Sequence, residues 1–169
     1  GSACAGLGDI DGDQIPDIAV GANGTDSQRG AVYILMMNTN GTIKAYQKIS
    51  YNSGGSVLPL DMNDLFGNSV ANIGDYNGDG KTDLAIANYG SSTVSVLLRN
   101  TSNTGFDPKV DFTTGSAPTS VCVGDFNGDG KLDLAVANLN SNTVSVLLNS
   151  TLLPATLTIT DHNPANVAP

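Results

Sequence analysis

Three stretches of the chain share one pattern of alternating apolar and polar positions. In the last copy, residues 133–137 alternate large and small side chains, as a strand buried on both faces does, and residues 143–148 form a second, β-branched alternating run. Turn-forming Asn and Ser separate the two runs. The equivalent runs are residues 83–87 and 93–98 in the second copy and residues 17–21 and 31–36 in the first. The pattern predicts the same order of strands in each copy.

Weaker strands flank these runs. Short apolar runs precede them at residues 70–74 and 121–124, and a fourth strand is predicted at residues 106–113 and 44–50. Four antiparallel strands within about 50 residues are typical of a β-propeller blade. We therefore predict an all-β fold of β-propeller-like blades, each with four antiparallel strands, in about three repeats, not enough to close a full propeller. The predicted repeats are residues 1–60, with a truncated start, 61–115 and 116–150.

The last segment, residues 151–169, differs from the repeats. Residues 156–160 alternate like a strand, and the segment around them is rich in Pro and Asn. Their register matches the outer strand that the third repeat otherwise lacks. The segment could equally be a linker, or a strand that pairs with another molecule.

Composition supports the all-β prediction and narrows the range of possible binding partners. Hydrophobic residues make up 40% of the 169 residues, enough for a packed core, and all 16 acidic residues are Asp. Asp, Asn and Gly favour turns over helices. The net charge of −9 argues against a nucleic-acid partner, because phosphate binding needs a basic surface. No apolar run is long enough to span a membrane.

Most of the aspartates cluster in three nine-residue loops, each directly before a predicted central strand. We call them the first loop (residues 9–17), the second loop (75–83) and the third loop (125–133), and number their positions 1 to 9. Side-chain oxygens fall at positions 1, 3, 5 and 9, and position 7 offers only its backbone carbonyl. The predicted metal ligands are Asp9, Asp11, Asp13, Ile15 and Asp17; Asp75, Asn77, Asp79, Lys81 and Asp83; and Asp125, Asn127, Asp129, Lys131 and Asp133.

The chemistry of these loops favours calcium. Hard oxygen ligands at alternate positions of a tight loop suit Ca²⁺, which takes roughly six to eight oxygens, whereas Mg²⁺ needs stricter octahedral geometry and keeps its waters. The same residues could form metal-free turns. However, three or four carboxylates gathered in each loop would repel one another without a cation. We predict about three structural Ca²⁺ ions, because no ligand is spared for a substrate.

The start of each loop also resembles an EF-hand, and position 12 decides against that alternative. An EF-hand requires a bidentate Glu there and a helix on each side. Position 12 is Val20, Ile86 and Val136 in the three copies, and each lies within a predicted strand. We therefore reject EF-hand and dockerin-like helical folds.

Short motifs around the loops carry a family resemblance. Phe66-Gly67, followed by Gly74-Asp75, looks like an FG element, and residues 20–23 (VGAN) look like GAP with Asn in place of Pro. Over residues 3–150 the sequence resembles the FG-GAP repeats of integrin α-subunit propellers and the related VCBS-type repeats of secreted bacterial proteins. The resemblance implies a blade with calcium between its first two strands, and extracellular placement. It implies no particular activity.

We expect no catalysis. The single histidine, His162, lies in the tail as a solvent-exposed bystander, and the chain has neither Glu nor a nucleophile motif. Paired aspartates could serve glycoside hydrolysis, but the clustered ones are already assigned to the loops. The isolated acidic residues, interpreted as turn or solvated strand positions, are Asp61, Asp64, Asp107 and Asp111.

Cysteines and sequons add weaker expectations. Cys4 and Cys122 occupy non-equivalent positions of their repeats, which favours two buried thiols over a disulfide. Tyrosines could stack on sugars, but Tyr76 aligns with Phe126 and is expected to pack beside its loop. Candidate N-glycosylation sites in Asn-x-Ser/Thr sequons are Asn23, Asn40, Asn100 and Asn149.

Three blades leave apolar faces and strand edges uncovered, which proteins rarely tolerate. Either the chain is a fragment of a longer propeller, or copies complete one another as a ring or filament; we favour self-association. The predicted function is a non-enzymatic extracellular or cell-surface Ca²⁺-binding repeat protein with a structural or adhesive role. Its expected partners are its own copies or other extracellular proteins. The alternative is part of a larger secreted propeller that binds carbohydrate or scaffolds an enzyme.

Overall fold

The computed structural model describes residues 1–51, 53, 59–102 and 105–149, which form three antiparallel sheets. The first sheet contains β1 (Ala3–Gly8), β2 (Asp17–Gly21), β3 (Ala31–Met37) and β4 (Ile43–Ser50). The second sheet contains β5 (Phe66–Asn72), β6 (Leu84–Asn88), β7 (Thr93–Leu97) and β8 (Val110–Thr113). The third sheet contains β9 (Pro118–Gly124), β10 (Asp133–Asn138) and β11 (Thr143–Leu147).

The all-β prediction and the prediction of antiparallel blades that do not close are confirmed. Consecutive strands are neighbours in every sheet, and the three Asp-rich loops join β1 to β2, β5 to β6 and β9 to β10. The first and second sheets have four strands each, and the third has three among the described residues. The strand predicted at residues 156–160, His162 and the rest of the tail lie outside the described residues.

One short helical turn, α1 (Thr25–Gln28), connects β2 to β3. Asp26 and Ser27 in this turn have φ angles of 51° and 58°, so the turn is left-handed and not a piece of regular α-helix. Within the described part of the chain, no helix has the length and apolar character needed to cross a membrane.

The three sheets stack side by side, with their first strands adjacent. Between β1 and β5, Nδ2 of Asn72 donates a hydrogen bond to the carbonyl of Gly6 at 2.8 Å. Between β5 and β9, the N–H of Val121 donates to Oγ of Ser69 at 3.2 Å. The first sheet therefore packs on one face of the second, and the third sheet packs on the other, as in the blades of a propeller.

Two apolar clusters fill the spaces between the sheets. The cluster between the first and second sheets includes Ala19, Val32, Ile34, Val70, Leu84, Ile86 and Leu97. The cluster between the second and third sheets includes Ala71, Ala85, Ala87, Val94, Val96, Val121, Leu134, Val136 and Leu147. The middle strand β6 sends Leu84 and Ile86 to one cluster and Ala85 and Ala87 to the other. This arrangement explains the alternation of large and small residues predicted for a strand buried on both faces.

Glycine lets two backbones touch at the first junction. Gly21 of β2 lies against the backbone of Gly67 in β5, and a Cβ at Gly21 would overlap the Gly67 carbonyl. Gly67 also has a φ of 88°, a conformation that favours glycine. The Val-Gly-Ala-Asn motif of the first repeat and the Phe-Gly motif of the second therefore meet in space, across the junction between their sheets.

The expectation of two buried thiols is wrong. Cys4 and Cys122 are both exposed and unpaired. Cys4 is opposite Val20 across β1 and β2, whereas Cys122 is opposite Ala135 across β9 and β10, so the two cysteines lie on opposite faces of their sheets. Both are exposed because no described sheet covers the outer face of the first sheet or of the third.

Candidate metal centres

The carboxylate at position 1 organises each loop by accepting backbone hydrogen bonds. In the first loop, Oδ1 of Asp9 accepts the N–H groups of positions 4 and 5, and Oδ2 accepts that of position 6, at 2.7 to 3.0 Å. Asp75 and Asp125 accept from the same positions at 2.7 to 3.1 Å. Gln14 stands at position 6, where the other loops have Gly, and it adopts a φ of 69°. The first loop therefore keeps the geometry of the others despite this substitution.

The carboxylate at position 9 ties each loop to its sheet. Asp17, Asp83 and Asp133 are fully buried at the start of the second strand. One oxygen of each accepts the N–H of position 2 at 2.9 to 3.0 Å. The other accepts an N–H at the end of the third strand, at 2.7 to 2.9 Å. The donors are Met37, the last residue of β3, and Arg99 and Asn149, which lie two residues after β7 and β11.

Positions 3, 5 and 7 complete the loops through a shared set of short turns. The position 5 N–H donates to the position 3 side chain, which is Asp11, Asn77 or Asn127, at 2.8 to 3.3 Å. The position 7 N–H donates to the position 5 carboxylate at 2.9 to 3.0 Å. The position 7 residues are Ile15, Lys81 and Lys131, and the position 5 residues are Asp13, Asp79 and Asp129. All fifteen predicted ligand positions therefore occur in equivalent loops.

Carboxylate oxygens converge in the first loop. One oxygen from each of Asp9, Asp11 and Asp17 lies within 4.8 Å of the other two. Asp13 is outside this trio and pairs with Lys44, whose Nζ also lies 2.7 Å from Asp11. Three carboxylates so close together repel one another strongly unless a cation offsets them. Hard oxygen donors of this kind fit a calcium ion.

Burial and backbone hydrogen bonds shift the pKa values of two loop carboxyl groups in opposite directions. Burial raises the pKa of Asp83, and the negative charges of Asp79 and Asp75 raise it further, although backbone donors oppose the shift. By contrast, backbone hydrogen bonds, with that from Gly130 the largest, lower the pKa of the exposed Asp125. In the second loop, the buried Asp83 therefore experiences repulsion from Asp79 and Asp75 that a bound cation would relieve.

Contacts from the following sheet cover the first and second loops, and the sequence interpretation missed them. Nη2 of Arg99, two residues after β7, donates to the carbonyl of Ile10 in the first loop at 2.9 Å. Nδ2 of Asn149, at the equivalent place after β11, donates to the carbonyl of Tyr76 in the second loop at 3.2 Å. A polar residue after the third strand in both later repeats was the available signal.

The four candidate glycosylation sites lie in different surroundings. Asn40 is exposed in the turn between β3 and β4. Nδ2 of Asn23 donates to Oδ1 of Asn68 at 2.9 Å, and Nδ2 of Asn149 makes the loop contact described above. Oδ1 of Asn100 accepts a backbone hydrogen bond in its own turn. A glycan attaches at Nδ2, so Asn40 is the most accessible of the four predicted sites.

Tyr76 packs, partly buried, against the cluster between the second and third sheets, as its alignment with Phe126 predicted. It also lines a groove of about 460 Å³ with Val96, Phe112 and Leu132. Other residues of the second and third loops also line this groove.

Stacked antiparallel sheets, each with an aspartate loop between its first two strands, define a blade-type repeat protein. Residues 5–35 match the family described as FG-GAP repeat, and residues 75–136 match that described as FG-GAP-like repeat. The chain belongs to the FG-GAP repeat family.

Integrin α subunits are among its relatives. Integrin alpha-X of Mus musculus is 36% identical over 123 residues, which are 72% of this chain and 10% of that protein. Integrin alpha-4 of Xenopus laevis is 35% identical over 99 residues, or 59% of this chain and 9% of the relative. Integrin alpha-5 of Xenopus laevis is 38% identical over 98 residues, which are 57% of this chain and 9% of the relative. The chain spans about a tenth of the length of these relatives.

Proposed function

We propose that the chain is a non-enzymatic, extracellular repeat module that binds about three structural Ca²⁺ ions and has an adhesive or structural role through self-association. The main support for this proposal is that the aspartate loop occurs three times. Each copy gathers carboxylates at one turn and ties that turn to the sheet through a buried aspartate. Extracellular placement rests on the resemblance to integrin α subunits. We also propose the repeat boundaries and the N-glycosylation sites that the sequence predicts.

A structural role for calcium follows from where the ligands are attached. Position 1 holds the turn, and position 9 holds the sheet through two backbone hydrogen bonds, for example at Asp83. An ion shared by both positions would join the turn to the sheet and offset the repulsion between them. Because such a site needs the folded loop, calcium binding stabilises the folded chain.

Calorimetric titration of the chelator-treated chain with CaCl₂ or MgCl₂ tests the proposal. We expect about three calcium sites, weaker magnesium binding, and a higher unfolding temperature in calcium. The triple variant Asp13→Ala, Asp79→Ala, Asp129→Ala removes the position 5 carboxylates and should lose most of this gain. Asp11→Asn is the matched control, because it gives the first loop the Asn already present in the other two. If chelation left both the unfolding temperature and the assembly unchanged, the structural ion would be ruled out.

A second candidate is a portion of a larger secreted propeller that binds carbohydrate or scaffolds an enzyme. The short span of the integrin relatives that the chain covers, and the groove beside Tyr76 and Phe112, favour this alternative. Aromatic side chains are suitable surfaces for sugar rings. Binding on a glycan array in calcium, lost in Phe112→Ala and retained in Tyr33→Ala, would support it.

A further inference from the structure

Two sheet faces in the described chain have no neighbouring sheet. The open face of the first sheet consists of Cys4, Ile18, Val20, Tyr33 and Leu35. The open face of the third sheet consists of Cys122, Ala135, Ala137, Val144 and Val146. All ten residues are half-buried or exposed. Their equivalents in the middle sheet are almost fully buried, since both faces of that sheet are covered.

The two open faces are the two halves of a junction that the chain already contains twice. The first sheet covers the face of the second sheet that carries Val70, and the second sheet covers the face of the third that carries Val121. Strand register makes these valines equivalent to Cys4, since all three are opposite position 12 of their repeats. The face of the second sheet used in the second junction carries Ala71, which is equivalent to Cys122.

We propose that a second copy of this chain covers these faces, with the first sheet of one copy stacked on the third sheet of the next in the register of the internal junctions. In this register Cys122 of one copy faces Cys4 of the next, as Ala71 faces Val121 within the chain. Ala71 and Val121 are each 9% exposed and belong to one apolar cluster. The proposal rests on the self-association in the proposed function and specifies its geometry.

The positions of Ser120 and Phe126 agree with the same stacking register between copies. Ser69 accepts the N–H of Val121 across the second junction. Its equivalent in the third sheet, Ser120, is exposed and is placed to accept the N–H of Cys4 from the next copy. Phe126 at position 2 of the third loop is 49% exposed, whereas Ile10 at position 2 of the first loop is buried under the second sheet. A following copy would cover Phe126 in the same manner.

Oxidation can trap this contact covalently. Oxidised glutathione accepts the two electrons: the Cys4 and Cys122 thiols lose their two protons, one sulfur–sulfur bond forms between copies, and the glutathione disulfide breaks to give two glutathione thiols. The contact is head-to-tail, so successive links produce a ring or a filament and not a symmetric dimer.

Single-cysteine variants test the register directly. Cys4→Ser retains Cys122, and Cys122→Ser retains Cys4. We expect oxidised glutathione to link an equimolar mixture of the two variants into a covalent dimer, to link neither variant alone, and to link the unaltered chain into a ladder. Mass spectrometry of the digested dimer should find the peptide pair that contains Cys4 and Cys122.

Sedimentation in reducing buffer separates the two ways of failing. A chain that stays monomeric at every concentration would contradict self-association itself. Association without the mixed Cys4–Cys122 link, or with links in either variant alone, would retain self-association and overturn the proposed register. Ser120→Asp provides a check without cysteine chemistry, because a charge at the expected contact should weaken association at least tenfold. Ser91→Asp, in the exposed turn between β6 and β7, is the control and should not change association.

Discussion

The middle sheet and the outer sheets have equivalent residues in different surroundings. Val94 of β7 is fully buried between the second and third sheets, whereas Val144, its equivalent in β11, is 38% exposed. Tyr76 in the second loop packs against the third sheet, whereas Phe126 in the third loop is exposed. The burial of these residues is therefore decided by whether a neighbouring sheet covers them and not by their own strand or loop.

The loops do not show the same dependence. Asp125 in the third loop accepts the same three backbone hydrogen bonds as Asp75 in the second, although no described sheet covers the third loop. The hydrogen bonds at position 1 therefore form within the nine residues of each loop. The sheet faces, by contrast, are completed only by contact with another sheet.

Aspartate substitutions at Val94 and at its equivalent Val144 should show the largest difference in stability between a covered face and an open face. Val94→Asp would bury a charge without a partner, and we expect a loss of about 4 kcal/mol or more in the free energy of unfolding, enough to prevent folding. Val144→Asp should cost less than about 0.5 kcal/mol in the monomer. Circular dichroism and urea unfolding in reducing buffer measure both. Similar losses in the two variants would contradict the comparison.

Substitution of Gly21, at the junction between the first and second sheets, should have the next largest effect on the free energy of unfolding. Gly21→Ala places a methyl group on the Gly67 carbonyl, so the first two sheets must separate, at a cost of about 3 kcal/mol. Gly6→Ala in β1 is the matched control, because a Cβ there has no heavy atom within 4 Å and β1 faces open space on that side. The control should change the free energy of unfolding little. Equal unfolding midpoints in urea for Gly21→Ala and Gly6→Ala would show that the junction yields easily.

The contact from Arg99 to the first loop should have a smaller effect. Arg99→Met retains the apolar stem and leaves the Ile10 carbonyl without this donor, which by itself costs about 1–3 kcal/mol. Burial lowers the pKa of Arg99, so holding its charge there has a cost that the variant recovers. We therefore expect a net loss of about 1 kcal/mol.

Met37 occupies the position in the first sheet that is equivalent to Arg99 and faces no preceding sheet among the described residues. Met37→Leu is therefore the control, and its thermal unfolding should match that of the unaltered chain. A destabilisation by Met37→Leu as large as that by Arg99→Met would mean that the contact across the junction is not the cause.

The strands and loops could be predicted because their signals are local. Alternation of apolar residues located β2, β3, β6 and β7, and the loop pattern placed Asp9 and Asp83 at turns beside strands. The same pattern could not predict which faces are covered. Cys4 and Val70 are both small apolar residues in a first strand, yet only Val70 has a sheet packed on it. The expectation of buried thiols was wrong for this reason.

Contacts between repeats were also beyond sequence reasoning. Arg99 lies 89 residues from Ile10 in the chain, and the interaction depends on how two sheets are stacked. The ion pairs of Lys44 with Asp11 and Asp13 likewise depend on the register of β3 with β4, which brings the start of β4 beside the first loop. A residue with no recognisable motif can therefore modify a loop that the sequence identifies clearly.

Substitution of Lys44 should have the smallest measurable effect, a change in the calcium affinity of the first loop. It distinguishes the effect of coverage by the next sheet from the effect of a nearby charge. If coverage by the next sheet alone set calcium affinity, the first and second loops would bind alike. Lys44 instead places an ammonium group on two predicted ligands of the first loop, so calcium must displace it. In a background of Asp79→Ala and Asp129→Ala, we expect Lys44→Met to tighten binding about two- to fivefold at low salt, with little change at high salt. Lys48→Met, which removes the same charge beside Asp26, is the matched control. Equal titration curves for the two variants would show that net charge, and not the contact with Asp11 and Asp13, determines the affinity of the first loop.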